Sequence, residues 1–273
     1  MNITPKTGTL DTPGARLYFE VRGEGPLVVL VGAPMDARSF EGLADLLGTD
    51  HTVLTTDPRG INRSTVADRD ADSTPEQRAD DLARLITHVD AGPAAILGSS
   101  GGAVSVLALA EARPELLDLA IAHEPPLNSL LDDREELYAK TEEIIAAYVS
   151  GDVVGSWRLF MKLANIDMPE PLFQMFFGGP RDARTTADEL FQYEHMIRPS
   201  TRWQPDVERL RALGPKLLVG LGEESSGQLC ERTSKALTGL LGTEPTMFPG
   251  GHTGFAEDPA TFAVRMREVL TGR

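Results

Sequence analysis

The 273-residue chain holds a single cysteine, Cys230. One thiol excludes an internal disulfide, and a structural zinc site would need several such ligands. No base is implied beside it, so Cys230 reads as a small buried or half-buried residue and not as a nucleophile. Positive charge is also short: 26 Lys+Arg stand against 41 Asp+Glu, a formal net charge of −15. Such a surface repels phosphate backbones and anionic bilayers, so neither nucleic acid nor a membrane is expected as a partner. Long apolar runs are missing; the longest near the middle, residues 103–110, falls far short of a bilayer span. The first eight residues are polar and lack an apolar stretch, so no secretory signal is expected and a cytoplasmic location is. No G-x-G-x-x-G follows the first strands and no metal-ligand cluster appears, which leaves no cofactor and no metal to expect.

What is present is an alternation. Apolar, β-rich runs at 16–21, 27–31, 51–56, 94–97, 117–122, 216–221 and 244–248 are separated by helical patterns at 75–89, 101–111, 232–241 and 259–270. This predicts an α/β protein with a mostly parallel sheet and helices on both faces, its ligand at the C-terminal strand ends. One stretch breaks the rhythm. Residues 127–201 read as helical throughout and predict a cap inserted between two strands, on a core of residues 1–126 and 202–273. The cap is dense in large soft side chains. Most pack its own interior, and Trp157, Met161, Phe173 and Phe176 are the candidates for lining an apolar pocket beneath it.

The strand at 94–97 runs through Gly98-Ser99-Ser100-Gly101-Gly102 straight into a helix. This is G-x-S-x-G in strand–turn–helix context, a nucleophile elbow. The turn is tight, so positions two residues either side of the nucleophile must be small. Centred on Ser100 they are Gly98 and Gly102; centred on Ser99 one would be Leu97, which is too large. Ser100 is therefore the predicted nucleophile. A serine hydroxyl needs a base. Of five histidines, His252 lies in the glycine-rich loop Pro249-Gly250-Gly251-His252-Thr253-Gly254 after the last strand, where an imidazole can reach the elbow. His51, His88, His123 and His195 read as surface or packing residues.

With Val31-Gly32-Ala33-Pro34, Asp57-Pro58-Arg59-Gly60, the elbow and the His252 loop in view, the whole chain resembles the α/β-hydrolase-fold serine hydrolases. The resemblance implies an oxyanion hole from the backbone N–H of Gly101 and a second N–H from the loop after the early strand. Pro34 has no N–H to give, so Ala33 is the candidate, with Met35 behind it. Val31 stands where relatives often carry histidine. The usual acid, an aspartate three residues after a glycine, is replaced: Gly222-Glu223-Glu224-Ser225 puts Ser225 there. Glu124, 24 residues after Ser100 and followed by two prolines, occupies the alternative position at the end of the next strand. Zearalenone-type lactone hydrolases carry a similar His-Glu-x-Pro run. Glu124 is the first candidate for the acid, with Glu224 or Glu223 as the alternative. Asp57, in its turn, is expected to hold backbone N–H groups.

These features predict a serine hydrolase that cleaves an ester or lactone of a mostly apolar small molecule, as a monomer or homodimer. The same residues also suit a C–C bond hydrolase, a cofactor-free perhydrolase, or a member that binds a small ligand without turnover.

Overall fold

A computed structural model describes residues 3–272. Nine strands form one sheet: β1 (Lys6–Thr12), β2 (Ala15–Arg22), β3 (Leu27–Val31), β4 (Thr52–Thr56), β5 (Thr65–Val66), β6 (Ala94–Ser99), β7 (Leu117–His123), β8 (Leu217–Gly222) and β9 (Thr246–Phe248). The order is β1-β2-β4-β3-β6-β7-β8-β9, with β5 paired to β2. β3, β4 and β6 to β9 are parallel, and β1, β2 and β5 add an antiparallel edge. Sequence reading missed β1, whose Thr, Gly, Lys and Asp residues give a half-exposed edge strand no apolar signal.

The helices are α1 (Glu41–Leu47), α2 (Pro75–Val89), α3 (Gly101–Ala112), α4 (Arg134–Val149), α5 (Val153–Ala164), α6 (Glu170–Phe177), α7 (Ala183–Phe191), α8 (Ile197–Thr201), α9 (Val207–Ala212), α10 (Leu229–Leu241), α11 (Gly254–Glu257) and α12 (Pro259–Thr271). They cover both faces of the sheet. One face packs Leu82, Leu85 and Ile86 of α2, Val104 and Leu107 of α3, and Leu237 of α10 against alternate residues of the strands. The other packs Leu43 and Leu47 of α1 with Phe255, Phe262 and Met266 of α11 and α12. β3 and β6 are buried along their whole length, as strands covered on both faces must be. The start of α2 is fixed by a reciprocal cap between Thr74 and Gln77 with Pro75 in the first turn.

Helices α4 to α8 lie between β7 and β8 in the chain. They bring their own core, with Ile144, Ile145, Tyr148 and Tyr193 buried against Trp157 and Phe160. A π-helical stretch, Gln192–Met196, joins α7 to α8. Among the described residues no helix is long and apolar enough to cross a membrane.

Candidate active site

The parallel ladder delivers two unusual residues side by side. Ser99 of β6 is in register with His123 of β7, so Ser100 and Glu124 are the next residue on each strand. Ser100 N–H donates to the carbonyl of His123 at 3.0 Å, and Glu124 N–H to that of Gly220 at 3.0 Å. Both residues then leave the sheet with positive φ. Ser100 has φ 57° and ψ −127°, and Glu124 has φ 52°. Backbone of this kind costs an L-residue roughly 1–3 kcal/mol and needs support from its surroundings.

The support is glycine. A methyl group at Gly98 would overlap the carbonyl oxygen of Gly102, and one at Gly102 would lie 2.5 Å from the carbonyl oxygen of Val31. The elbow therefore closes only with glycine at both flanking positions. The same packing sets Gly101, the first residue of α3, against Ala33, whose carbonyl a Gly101 side chain would strike. Gly101 and Ala33 are thus neighbours beside the half-buried Ser100.

His252 lies in the turn between β9 and α11. Two backbone bonds zip the loops after β8 and β9 together: Glu223 N–H to Phe248 O at 2.9 Å and Glu224 N–H to Gly250 O at 3.0 Å. This brings the imidazole to Glu124, and His252 Nδ1 donates to Glu124 Oε2 at 2.6 Å. The carboxylate is fully buried. Its other oxygen, Oε1, accepts from Gly222 N–H at 2.8 Å, and a methyl group at Gly222 would crowd that oxygen at 3.0 Å. Burial works to raise the Glu124 pKa, but the hydrogen bond from His252 and the nearby imidazoles outweigh it and hold the group below the usual carboxylate range. Glu124 is therefore an anion when it meets His252.

The remaining candidates fall elsewhere. Glu223 and Glu224 point to solvent, while Ser225 between them and the sheet is fully buried beside Gly222. Asp57 is buried and accepts from the N–H groups of Ala37 and Arg63 and from the Arg63 guanidinium. His123 is buried among Phe248, Phe255 and Phe262, with Nδ1 3.2 Å from Ser99 Oγ; burial pushes its pKa down to about 4. Of the four residues expected to line a pocket, Trp157 stacks on Phe177 within the α4–α8 segment and Phe173 is buried beneath the Arg158 guanidinium. Met161 is half-buried and Phe176 is 64% exposed. The apolar residues that do pack against Ala33 are Ile61, Phe191 and Met196. Sequence reading missed them. Phe191 directly precedes the π-helical stretch and Met196 is its last residue; such stretches often mark functional positions, but no side-chain pattern announces one in advance.

The sequence profile of the alpha/beta hydrolase family matches residues 27–265. The chain belongs to the alpha/beta hydrolase family. YraK, an uncharacterized hydrolase of Bacillus subtilis (strain 168), is 31% identical to this hydrolase over 274 residues, covering 98% of this chain and 97% of that one. A zearalenone hydrolase of Bionectria ochroleuca is 30% identical over 266 residues, covering 93% and 94%. Among solved structures, MGS-M2, an alpha/beta hydrolase from a Medee basin deep-sea metagenome library, superimposes with a TM-score of 0.74 at 17% identity, covering 97% of this chain and 98% of that one. That likeness is one of fold.

Proposed function

We propose that this hydrolase cleaves an ester or lactone of a mostly apolar small molecule through an acyl-enzyme on Ser100. The 2.6 Å hydrogen bond from His252 Nδ1 to the buried Glu124 carboxylate carries the reading. It keeps the proton on Nδ1 and leaves Nε2 bare to accept another. Ser100 Oγ attacks the carbonyl carbon while Nε2 takes the hydroxyl proton. The tetrahedral oxyanion is held by the N–H groups of Gly101 and Ala33. As it collapses, His252 returns the proton to the departing alkoxide. Water then attacks the acyl-enzyme, giving its proton to His252, and Ser100 is released. In a lactone the alcohol stays tethered, and the product is a single hydroxy acid. Kinship with a zearalenone hydrolase supports a lactone, and the apolar group of Ile61, Phe191 and Met196 beside Ala33 supports an apolar substrate.

The test is covalent labelling with a fluorophosphonate, the adduct located by peptide mass spectrometry, followed by turnover on ester and lactone panels that include zearalenone. Label is expected on Ser100 and absent from Ser100→Ala. Glu124→Gln should lower kcat by about 10⁴, because the amide favours the wrong imidazole tautomer. Glu223→Ala and Glu224→Ala should leave it nearly unchanged. A folded wild-type protein that takes no label, or a Glu224→Ala variant as impaired as Glu124→Gln, would contradict the assignment.

A further inference from the structure

We propose that Glu124, Cys230 and His252 form a seat for one zinc ion, and that an ion bound there switches the hydrolase off. A carboxylate oxygen, the thiol sulfur and a ring nitrogen of these residues lie within 4.8 Å of one another. They arrive from three separate stretches: the end of β7, the first turn of α10 and the turn after β9. Oxygen, sulfur and nitrogen are the atoms zinc takes at 2.0–2.3 Å, which sets tetrahedral ligands roughly 3.4 Å apart. Closing from 4.8 Å to that spacing asks for movements of about 1 Å, within reach of a half-buried thiol and a turn.

Other features suit the ion. The Glu124 oxygen not facing His252 is already held by Gly222 N–H at 2.8 Å, the kind of outer bond that orients a metal-binding carboxylate. One carboxylate and one thiolate cancel the charge of Zn²⁺, so the filled seat is neutral. The half-buried imidazole leaves the fourth position open. Mg²⁺ and Ca²⁺, which demand oxygen ligands, are excluded by the donor set. Cys230 takes no part in the hydrolytic scheme; its sulfur hydrogen-bonds Gln228 Oε1 at 3.5 Å.

Binding balances simply. The thiol releases its proton to solvent and gives the thiolate. The imidazole proton moves from Nδ1 to Nε2, and zinc takes its place on Nδ1. The hydrogen bond between His252 and Glu124 is broken. An Nε2 that carries a proton cannot receive one from Ser100, so the nucleophile stays unactivated. The seat is independent of the roles assigned above, whereas its effect on turnover rests on them.

The experiment titrates the metal-free full chain with Co²⁺ and follows thiolate-to-cobalt charge-transfer absorption, then displaces cobalt with Zn²⁺. One cobalt per chain is expected, displaced by zinc and not by excess Mg²⁺ or Ca²⁺. Cys230→Ala should abolish the absorption, and His252→Ala should weaken cobalt at least about 100-fold, since even outer-shell losses cost 10–100-fold. Absence of the band in the wild-type chain, or unchanged zinc affinity in Cys230→Ala, overturns the seat. On turnover, zinc should suppress the wild-type rate, and a chelator should restore it. Each rate is compared with that variant's own zinc-free value, and the suppression should largely vanish in Cys230→Ala. A band with zinc-insensitive turnover overturns the switch. A band in a chain that hydrolyses nothing would leave the seat standing and defeat the hydrolytic reading instead.

Discussion

At Ser100 the backbone is held at φ 57°, ψ −127°, a region that glycine enters freely and L-residues only under strain. The strain is stored where the nucleophile must project, and it can be released. Ser100→Gly should stabilise the fold by about 1 kcal/mol, the relief of 1–3 kcal/mol less the roughly 0.5–1 kcal/mol of chain entropy glycine loses. Urea unfolding of wild type and variant measures this, and the variant should have no turnover. His123 offers a different test. Its pKa falls from 6.5 to about 4 because it is buried. Between those values the unfolded chain binds a proton that the native state refuses, so stability is lost as pH falls. The loss reaches roughly 3 kcal/mol by pH 4, at 1.36 kcal/mol per unit. Glu111, raised by burial to about 7, takes up a proton in the native state across the same window and acts in the opposite sense, while Glu124, lowered from 4.5, loses its own contribution only below that pH. The wild-type curve mixes these groups, so the difference between wild type and His123→Gln in a pH-dependent unfolding series isolates the imidazole: the variant should lose less stability than wild type as pH falls from 6.5 to about 4.

At the scale of elements, the elbow is a close approach of β6, α3 and the loop after β3, fastened from behind by a buried cation. Arg78 of α2 donates through Nε to Ser105 Oγ at 2.8 Å and through Nη2 to Ser200 Oγ of α8 at 2.8 Å, and it reaches the Ser73 carbonyl. Ser105 Oγ in turn donates to the carbonyl of Gly101 at 3.0 Å. Four stretches, α2, the loop before it, α3 and α8, meet at one guanidinium with no carboxylate bound to it. Burial draws its pKa down to about 10. Ser105→Ala leaves a buried charged donor unpaired and should cost about 1–3 kcal/mol in denaturant unfolding. Nothing in the sequence marks this hub, because Arg78 and Ser105 are ordinary helix residues there and their meeting is tertiary. The elbow itself was legible, since glycines at 98 and 102 report a steric demand that no other residue meets. The strands were legible for a similar reason: β3 and β6 are unbroken apolar runs because both faces are covered. Sequence reading ranks Glu124 ahead of Glu223 and Glu224, by its place at a strand end before two prolines. What the fold adds is the contact itself: the zipped loops after β8 and β9 bring His252 to Glu124 and leave Glu223 and Glu224 exposed.

The whole molecule is a sheet with its own core and a helical segment, α4 to α8, with another, and contacts between the two join them. Phe191, at the end of α7, packs at the centre of one such contact. Its ring occupies the space a side chain at Gly60 would need, lies 5.1 Å beneath the Arg69 guanidinium and packs with Ala33, Ile61 and Met196. Around it Asn62 N–H donates to Asp188 at 3.0 Å, Arg69 to the Ala187 carbonyl at 3.0 Å, and Ser73 N–H to the His195 carbonyl at 2.9 Å. Composition marks residues 127–201 as helical and rich in large side chains, but not which of them pack against Ala33. A density of Phe and Met marks where apolar surface is buried, and in this segment much of it is buried in the segment's own core around Tyr148, Tyr193 and Trp157. The apolar residues that pack against Ala33 from this segment, Phe191 and Met196, sit near its C-terminal end, where the count of large side chains is unremarkable. Phe191→Ala removes a buried ring and should cost about 3–5 kcal/mol. Because α4 to α8 keep their own cluster, the loss should fall on the contact between them and the sheet: in a Trp203→Phe background, fluorescence from Trp157 and far-ultraviolet dichroism of the sheet and helices should cease to unfold together. On an apolar ester KM should rise about tenfold or more while kcat changes less, the mark of lost binding surface as opposed to lost transition-state contacts. Coincident unfolding with an unchanged KM would mean that the other contacts between α4–α8 and the sheet join the two by themselves and that Phe191 forms no part of the pocket.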